Sequence, residues 1–169
     1  MQSTRSFVPE ESQFRDVLGH YCSGVTVITA LDGDEPVGFA CQSFQSLSLD
    51  PPMVSFAPAK SSTTWPRIRR SGWFAANVLA EDQHDLCRQF AVSGGDKFDG
   101  AAWRTGPSGS PILDGALAWI DCEIVGEAEG GDHVIVLGQV LDLASNGGSR
   151  PLLFYRGKFG ALARHRVTC

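Results

Sequence analysis

The sequence predicts a mainly β fold with peripheral helices, in the manner of a β-barrel or sandwich. Three observations carry this. Short runs of β-branched and apolar residues recur along the chain, separated by Gly, Pro and Asp turn signals. Helical apolar spacing is confined to about three segments. Strands and helices do not alternate one for one, so a doubly wound parallel sheet is disfavoured.

Taken in order, Phe14, Val17, Leu18 and Tyr21 recur at i, i+3, i+4 and i+7 and predict a short amphipathic helix, opened by Pro9, Glu10 and Glu11. Gly24 precedes Val25 to Thr29, an unbroken β-branched run that predicts a strand. Asp32-Gly33-Asp34 marks a turn, and Val37 to Cys41 the return strand of a hairpin. Phe44, Leu47 and Leu49 predict a further strand, stopped at Asp50-Pro51-Pro52, and Met53 to Ala57 another.

Ser61 to Arg70 reads as a helix capped by Ser61 or Ser62, with Trp65 and Ile68 inward and Pro66 in its first turn. Trp73 to Leu79 predicts a strand. Asp82 to Val92 predicts a helix ended at Gly94-Gly95. Asp99 to Gly109 reads as loop. Leu117 to Val125 and Val134 to Ala144 predict long strands joined through Glu129 to Asp132, and Leu152 to Tyr155 a last short one. No linker or repeat interrupts the chain, so residues 1–169 are read as one domain.

The composition bounds the function. The 169 residues are 43% hydrophobic and 20% charged, as in a globular protein, and the net charge of −5 argues against a nucleic-acid partner. No apolar run approaches the roughly 20 residues that span a bilayer. Met1 to Glu11 is polar and has no apolar core, so no signal peptide and no membrane are expected, and the cytoplasm is the expected compartment. The five cysteines, Cys22, Cys41, Cys87, Cys122 and Cys169, are widely spaced without a C-x-x-C, and His20 with Cys22 lacks a second ligand pair, so no metal site is expected.

No G-x-G-x-x-G, P-loop or G-x-S-x-G is present, and no acid–base pair stands out. What remains are small and hydroxylated residues at strand ends: Ala40-Cys41-Gln42-Ser43, Ser46-Leu47-Ser48-Leu49-Asp50 and Lys60-Ser61-Ser62-Thr63. The last reads either as a capped helix with a solvated lysine, or as a cation, hydroxyls and free backbone N–H groups gathered for a phosphate.

These segments, the first read as Gly38 to Phe44 and the second as Ser46 to Pro52, with Gly24 to Thr29, Ser71 to Leu79, Gln83 with Arg88-Gln89-Phe90, Asp96-Lys97-Phe98, Pro111-Ile112-Leu113, Gly131-Asp132-His133 and Pro151 to Gly157, resemble in order and spacing the short-chain flavin reductases that serve two-component, flavin-dependent monooxygenases. The resemblance runs from about Phe14 to Leu162. It implies an FMN-binding split β-barrel of Greek-key type and a homodimer. It implies hydride transfer from NAD(P)H to FMN or FAD, with the reduced flavin passed to a separate oxygenase. NADH is favoured over NADPH because no clear arginine cluster for a 2′-phosphate appears, although Arg164 and Arg166 weigh against that reading.

The resemblance also distributes roles. Ala40, Cys41, Gln42 and Ser43, with Ser46, Leu47, Ser48 and Asp50, are expected along the flavin ring and ribityl chain. Lys60, Ser61, Ser62 and Thr63 are expected at its phosphate, and Asn77 at the ring or ribityl. Arg88, Phe90, Lys97 and Phe98 lie where the family closes its flavin site. Phe90 reads equally as core packing, and Lys97 as a solvated loop lysine. His133, Tyr155 and Arg156 are expected at the nicotinamide. A lone histidine is otherwise structural or solvent-facing, and Tyr155 otherwise a sheet-edge residue. Cys41-Gln42 departs from the commoner family pattern of small or hydroxyl residues. No residue is expected to act as a catalytic acid or base with the possible addition of His133, because the flavin carries the chemistry. A carrier or sensor, or a split-barrel oxidase with tightly held FMN, is the alternative.

Overall fold

The computed structural model describes residues 8–163. Cys169, His165, Arg164 and Arg166 lie outside them, as do Met1 to Phe7. The element order is α1 (Glu11–Leu18), β1 (Ser23–Gly24), β2 (Thr26–Asp32), β3 (Glu35–Cys41), β4 (Gln45–Leu49), β5 (Pro52–Phe56), α2 (Trp65–Ser71), β6 (Trp73–Val78) and α3 (His84–Ala91). Then come β7 (Trp103–Thr105), β8 (Pro111–Leu113), β9 (Ala118–Gly130), β10 (His133–Ser145), β11 (Leu153–Tyr155) and β12 (Lys158–Gly160).

Seven strands form one antiparallel sheet in the order β3-β2-β6-β9-β10-β5-β4. No ladder joins its edges β3 and β4, although only residues 42–44 separate them in sequence. This is the mainly β split barrel expected. The β-branched run of β2 has no polar alternation because both of its faces are buried. Ile28 packs with Phe56, Phe74, Trp65, Ile68 and Val136. Its neighbour Val27 faces the other way, into Leu79, Phe90, Phe98, Leu113 and Leu152. Each such side chain removed from water contributes about 1.5–3 kcal/mol.

Three local expectations are corrected. The helix read from Ser61 starts at Trp65, because Pro66 donates no N–H and its ring would collide with the residue 62 carbonyl inside a helix. Ser62 Oγ instead accepts the Trp65 N–H at 3.1 Å from the turn before it. The loop read over 99–109 contains β7, which pairs with β8. The chain after Tyr155 turns back as β12, through Arg156 at φ +48° and Gly157 at φ +75°, a hairpin turn whose positive φ angles Arg-Gly signals less clearly than Asn-Gly. The first helix forms, ending at Leu18, but buries nothing: Phe14 is 54% and Tyr21, beyond its end, 80% exposed.

Two polar arrangements hold the frame around the site. Asp32, at the end of β2, accepts from Arg67 Nε at 2.7 Å and Arg70 Nη2 at 2.7 Å, and so docks α2 on the hairpin. These hydrogen bonds, Arg67 first, hold the Asp32 carboxyl below its ordinary range. Backbone bonds from Lys60 N to Asp132 O at 2.9 Å and from Val134 N to Pro58 O at 3.0 Å lay residues 58–60 along the start of β10. They bring His133 beside Ala59, which pairs with it in an isolated bridge.

Candidate functional site

A cavity of about 540 Å³ opens at the unclosed side of the sheet. It is lined by residues 39–43 at the end of β3, 57–59 after β5, 61–64 before α2, 90–93 at the end of α3, and by Lys97 and His133. Its size falls in the range of roughly 300–1,000 Å³ of small-molecule sites. Its walls are small and apolar at Ala40, Ala57, Pro58 and Ala59, and hydroxylated at Ser43, Ser61, Ser62 and Thr63. No Asp or Glu lines it.

The structure thus brings together Ala40, Cys41, Gln42, Ser43, Ser61, Ser62, Thr63, Phe90, Lys97 and His133 from five separate segments. Ser43 pins the crossing between the sheet edges: its Oγ accepts the Ala57 N–H at 2.8 Å and lies 3.3 Å from Cys41 Sγ. Burial pushes the Cys41 thiol up, so it is held as a thiol and not as a nucleophilic thiolate. Phe90 is fully buried and serves both as core and as cavity wall. Its seat depends on Gly38, where an added Cβ would lie 2.9 Å from the Phe90 ring and 2.8 Å from the Ile28 carbonyl oxygen.

Lys97 is half-buried. Its Nζ donates to the Phe90 carbonyl at 3.3 Å, and desolvation alone draws its pKa down, with no carboxylate to compensate it. His133 Nδ1 donates to Asp132 Oδ1 at 2.7 Å, which holds the Asp132 carboxyl down and leaves Nε2 as the unengaged ring nitrogen.

Other expected residues lie elsewhere. Lys60 is exposed and its Nζ is bonded to Glu129 Oε2 at 2.5 Å. Ser61 to Thr63 precede α2, so the helix-start arrangement read around Lys60 does not form. Ser46, Leu47 and Asp50 are exposed on or just after the edge strand β4, and half-buried Ser48 is likewise outside the cavity. Asn77 is fully buried in β6 with its carboxamide bonded to protein. Arg88 lies over the Phe159 ring at 5.6 Å and beside Asp85. Phe98 is buried beneath Phe90, edge to face at 5.0 Å. Tyr155 and Arg156 sit against the end of α1, with Tyr155 edge-on to His20 and the Arg156 N–H donating to the Gly19 carbonyl at 3.0 Å. The sequence reading missed Thr64, Pro58 and residues 91–93 as cavity walls; their adjacency to named segments was the available signal.

The arrangement suits a flat ring entered edge-on along small residues, with an anionic tail near the hydroxyls and Lys97. The sequence profile of the flavin reductase-like domain matches residues 18–163. The chain belongs to the flavin reductase-like domain family. Among its flavin reductase relatives is a reductase subunit of a flavin-dependent monooxygenase from Rhodococcus jostii. That protein is 52% identical over 147 residues, covering 87% of this chain and 75% of the relative. A solved nitrilotriacetate monooxygenase component B from Mycobacterium thermoresistibile superposes with a TM-score of 0.91 at 46% identity, covering 94% of this chain and 90% of that one. The NADH:FAD oxidoreductase of Streptomyces globisporus, solved with NAD and FAD fragments, superposes at 0.87 with 37% identity, covering 92% and 94%. Among the described residues, no helix of this flavin reductase family member is long and apolar enough to cross a membrane.

Proposed function

We propose that this chain, as one working unit over residues 1–169, is an NADH-dependent flavin reductase: it reduces FMN or FAD by hydride transfer and releases the reduced flavin to a separate oxygenase. The observation that carries the reading is the single cavity that collects the strand-end segment 40–43, the hydroxyls of 61–63, Lys97 and His133, with no carboxylate or activated nucleophile among them. Such a site positions and does not itself react. When bound, the flavin ring supplies the hydride-accepting chemistry.

The protein's own groups perform the rest. Ala40 and Ala57 let backbone approach the edge of a flat ring, and the Gln42 carboxamide offers it both a donor and an acceptor. Ser61, Ser62 and Thr63 offer hydroxyl donors to a phosphate, and Lys97 offers the cation that burial leaves short of a counter-charge. His133, oriented by Asp132, is placed to hold the nicotinamide in register with the ring. Arg67, which lines a neighbouring cavity, is already bonded to Asp32 and Glu35 at 2.7 Å each, so among the described residues it does not await a 2′-phosphate, which supports NADH over NADPH.

The exposed face of α1, with Phe14, Val17 and Leu18 and the adjoining Tyr21, supports a homodimer through that face. Consumption of NADH, and an exposed free thiol at Cys22, fit the reducing cytoplasm. The test is oxidation of NADH by the purified protein, with and without FMN or FAD. Turnover that requires added flavin is expected. Absence of turnover with any flavin and either nicotinamide overturns the reading.

A further inference from the structure

Lys97 faces the cavity from the end of an exposed loop. α3 ends at Ala91, and residues 91–96 are all exposed. Among the described residues, Val92, Ser93, Gly94 and Gly95 make no backbone hydrogen bond to another segment. Gly94 and Gly95 turn at φ +80° and +73°, and a Cβ on either would meet nothing within 4 Å, so no neighbour packs on the turn. A segment with so few contacts and two glycines does not by itself fix the position of a long side chain.

Two consecutive residues of α3 fix it instead. Gln89 Nε2 donates to the Lys97 carbonyl at 2.9 Å and to the Asp99 carbonyl at 2.8 Å. Its carboxamide so straddles Phe98, whose buried ring packs edge to face on Phe90 at 5.0 Å and whose N–H is donated to Asp96 Oδ1 at 2.9 Å. The Phe90 carbonyl accepts from Lys97 Nζ at 3.3 Å. Gln89 thus holds the main chain of Lys97 and Phe90 its ammonium. Gln89 is half-buried and does not itself line the cavity. Resting on the flavin reading above, we infer that Gln89 is a positioning residue for flavin binding, which acts through Lys97 by fixing where its ammonium meets the flavin phosphate.

The two bonds differ in what they can do. The Nζ contact is at the long end for an N–H donor, and no carboxylate compensates the charge, so the ammonium is free to pass to an incoming phosphate. The Gln89 bonds are shorter and go to the main chain, so they persist when the ammonium moves. With the main chain already held, less freedom remains for Lys97 to lose on meeting an anion.

The test is a double-mutant cycle between Gln89→Met, which keeps the length of the side chain and removes both donors, and Lys97→Met. Isothermal titration with FMN and with riboflavin, which has no phosphate, is run on the unaltered protein, both single variants and the double variant. Gln89→Met is expected to weaken FMN binding about fivefold and to leave riboflavin within about twofold. In the Lys97→Met background it is expected to change neither. Gln89→Ala, which removes the same donors without filling their space, is expected to repeat the pattern. Equal weakening of FMN and riboflavin makes Gln89 a prop of the Phe90 wall and overturns the inference. Further weakening of FMN in the Lys97→Met background, or unchanged FMN binding in Gln89→Met, overturns it too. An unaltered protein that binds neither flavin brings down the flavin reading itself, and this inference with it.

Discussion

The side-chain oxygen of Asn77 accepts the backbone N–H of Leu113 at 2.8 Å. Its Nδ2 donates to Thr29 Oγ1 at 3.0 Å and to the Val27 carbonyl at 3.2 Å. One fully buried carboxamide therefore ties β6 to β2 and β8. Asn77→Ala orphans a buried N–H and is expected to cost at least about 2 kcal/mol in urea unfolding. Flavin affinity of the folded protein is expected to stay within about twofold, a small change on the scale where tenfold is 1.4 kcal/mol. Unchanged stability with weakened flavin binding would return Asn77 to the flavin site that the family resemblance suggested.

Lys60 and Lys97 divide differently from the sequence expectation. Lys60 is neutralised by Glu129 at the surface, whereas Lys97 is half-buried against a carbonyl. Lys97→Met is expected to weaken FMN binding about tenfold and leave riboflavin, which has no phosphate, unaffected. Lys60→Met is expected to change neither. Isothermal titration with the two flavins decides, and the opposite ranking would restore Lys60 as the phosphate ligand.

Cys41 lines the cavity with its thiol held protonated by burial. Cys41→Ala is expected to keep most of the flavin-dependent NADH turnover, since no adjacent base activates the sulfur. Loss of turnover with flavin still bound would give Cys41 a part in hydride transfer. Cys122 is still less reactive, its thiol pushed up to about 12 by burial and then by Asp121. Alkylation of native protein at mildly alkaline pH is therefore expected at Cys22 and not at Cys122, read by peptide mass.

Asp32 gives a pH dependence with a definite sign. Its carboxyl is held low by Arg67 and Arg70, so the unfolded chain takes up a proton at about 3.9, above the folded value. The stability it contributes is complete above that unfolded value and is lost as pH falls through the folded one. Melting temperature is expected to drop on acidification below about pH 4, and Asp32→Asn to lower the melting temperature at neutral pH while flattening the acid limb. An unchanged acid limb in the variant would show that other carboxylates govern it.

Most strands were legible because their signals are local. The β-branched run at Val25 to Thr29, the Asp-Gly turn after it and the Gly-Asp turn before His133 each specify their own segment, and the structure places strands and hairpins there. The same holds for Ala40 to Ser43, Ser61 to Thr63, Phe90, Lys97 and His133, whose residue types in order carried the family resemblance and which line one cavity. Tertiary structure decided what depends on distance across the fold. Glu129 lies far from Lys60 in sequence, and only the pairing of residues 58–60 with the start of β10 lets the two meet. Asn77 reads as an available polar group until β2 and β8 close around it and engage both its oxygen and its nitrogen. β7 and β12 are too short to announce themselves and exist because a partner strand supplies their hydrogen bonds. Sequence by itself thus determined the chemistry of each segment and the class of fold, since period and turn residues act within a few positions. Which of Lys60 and Lys97 is paired with a carboxylate was decided by the tertiary structure, because charge compensation belongs to residues that chain order keeps apart.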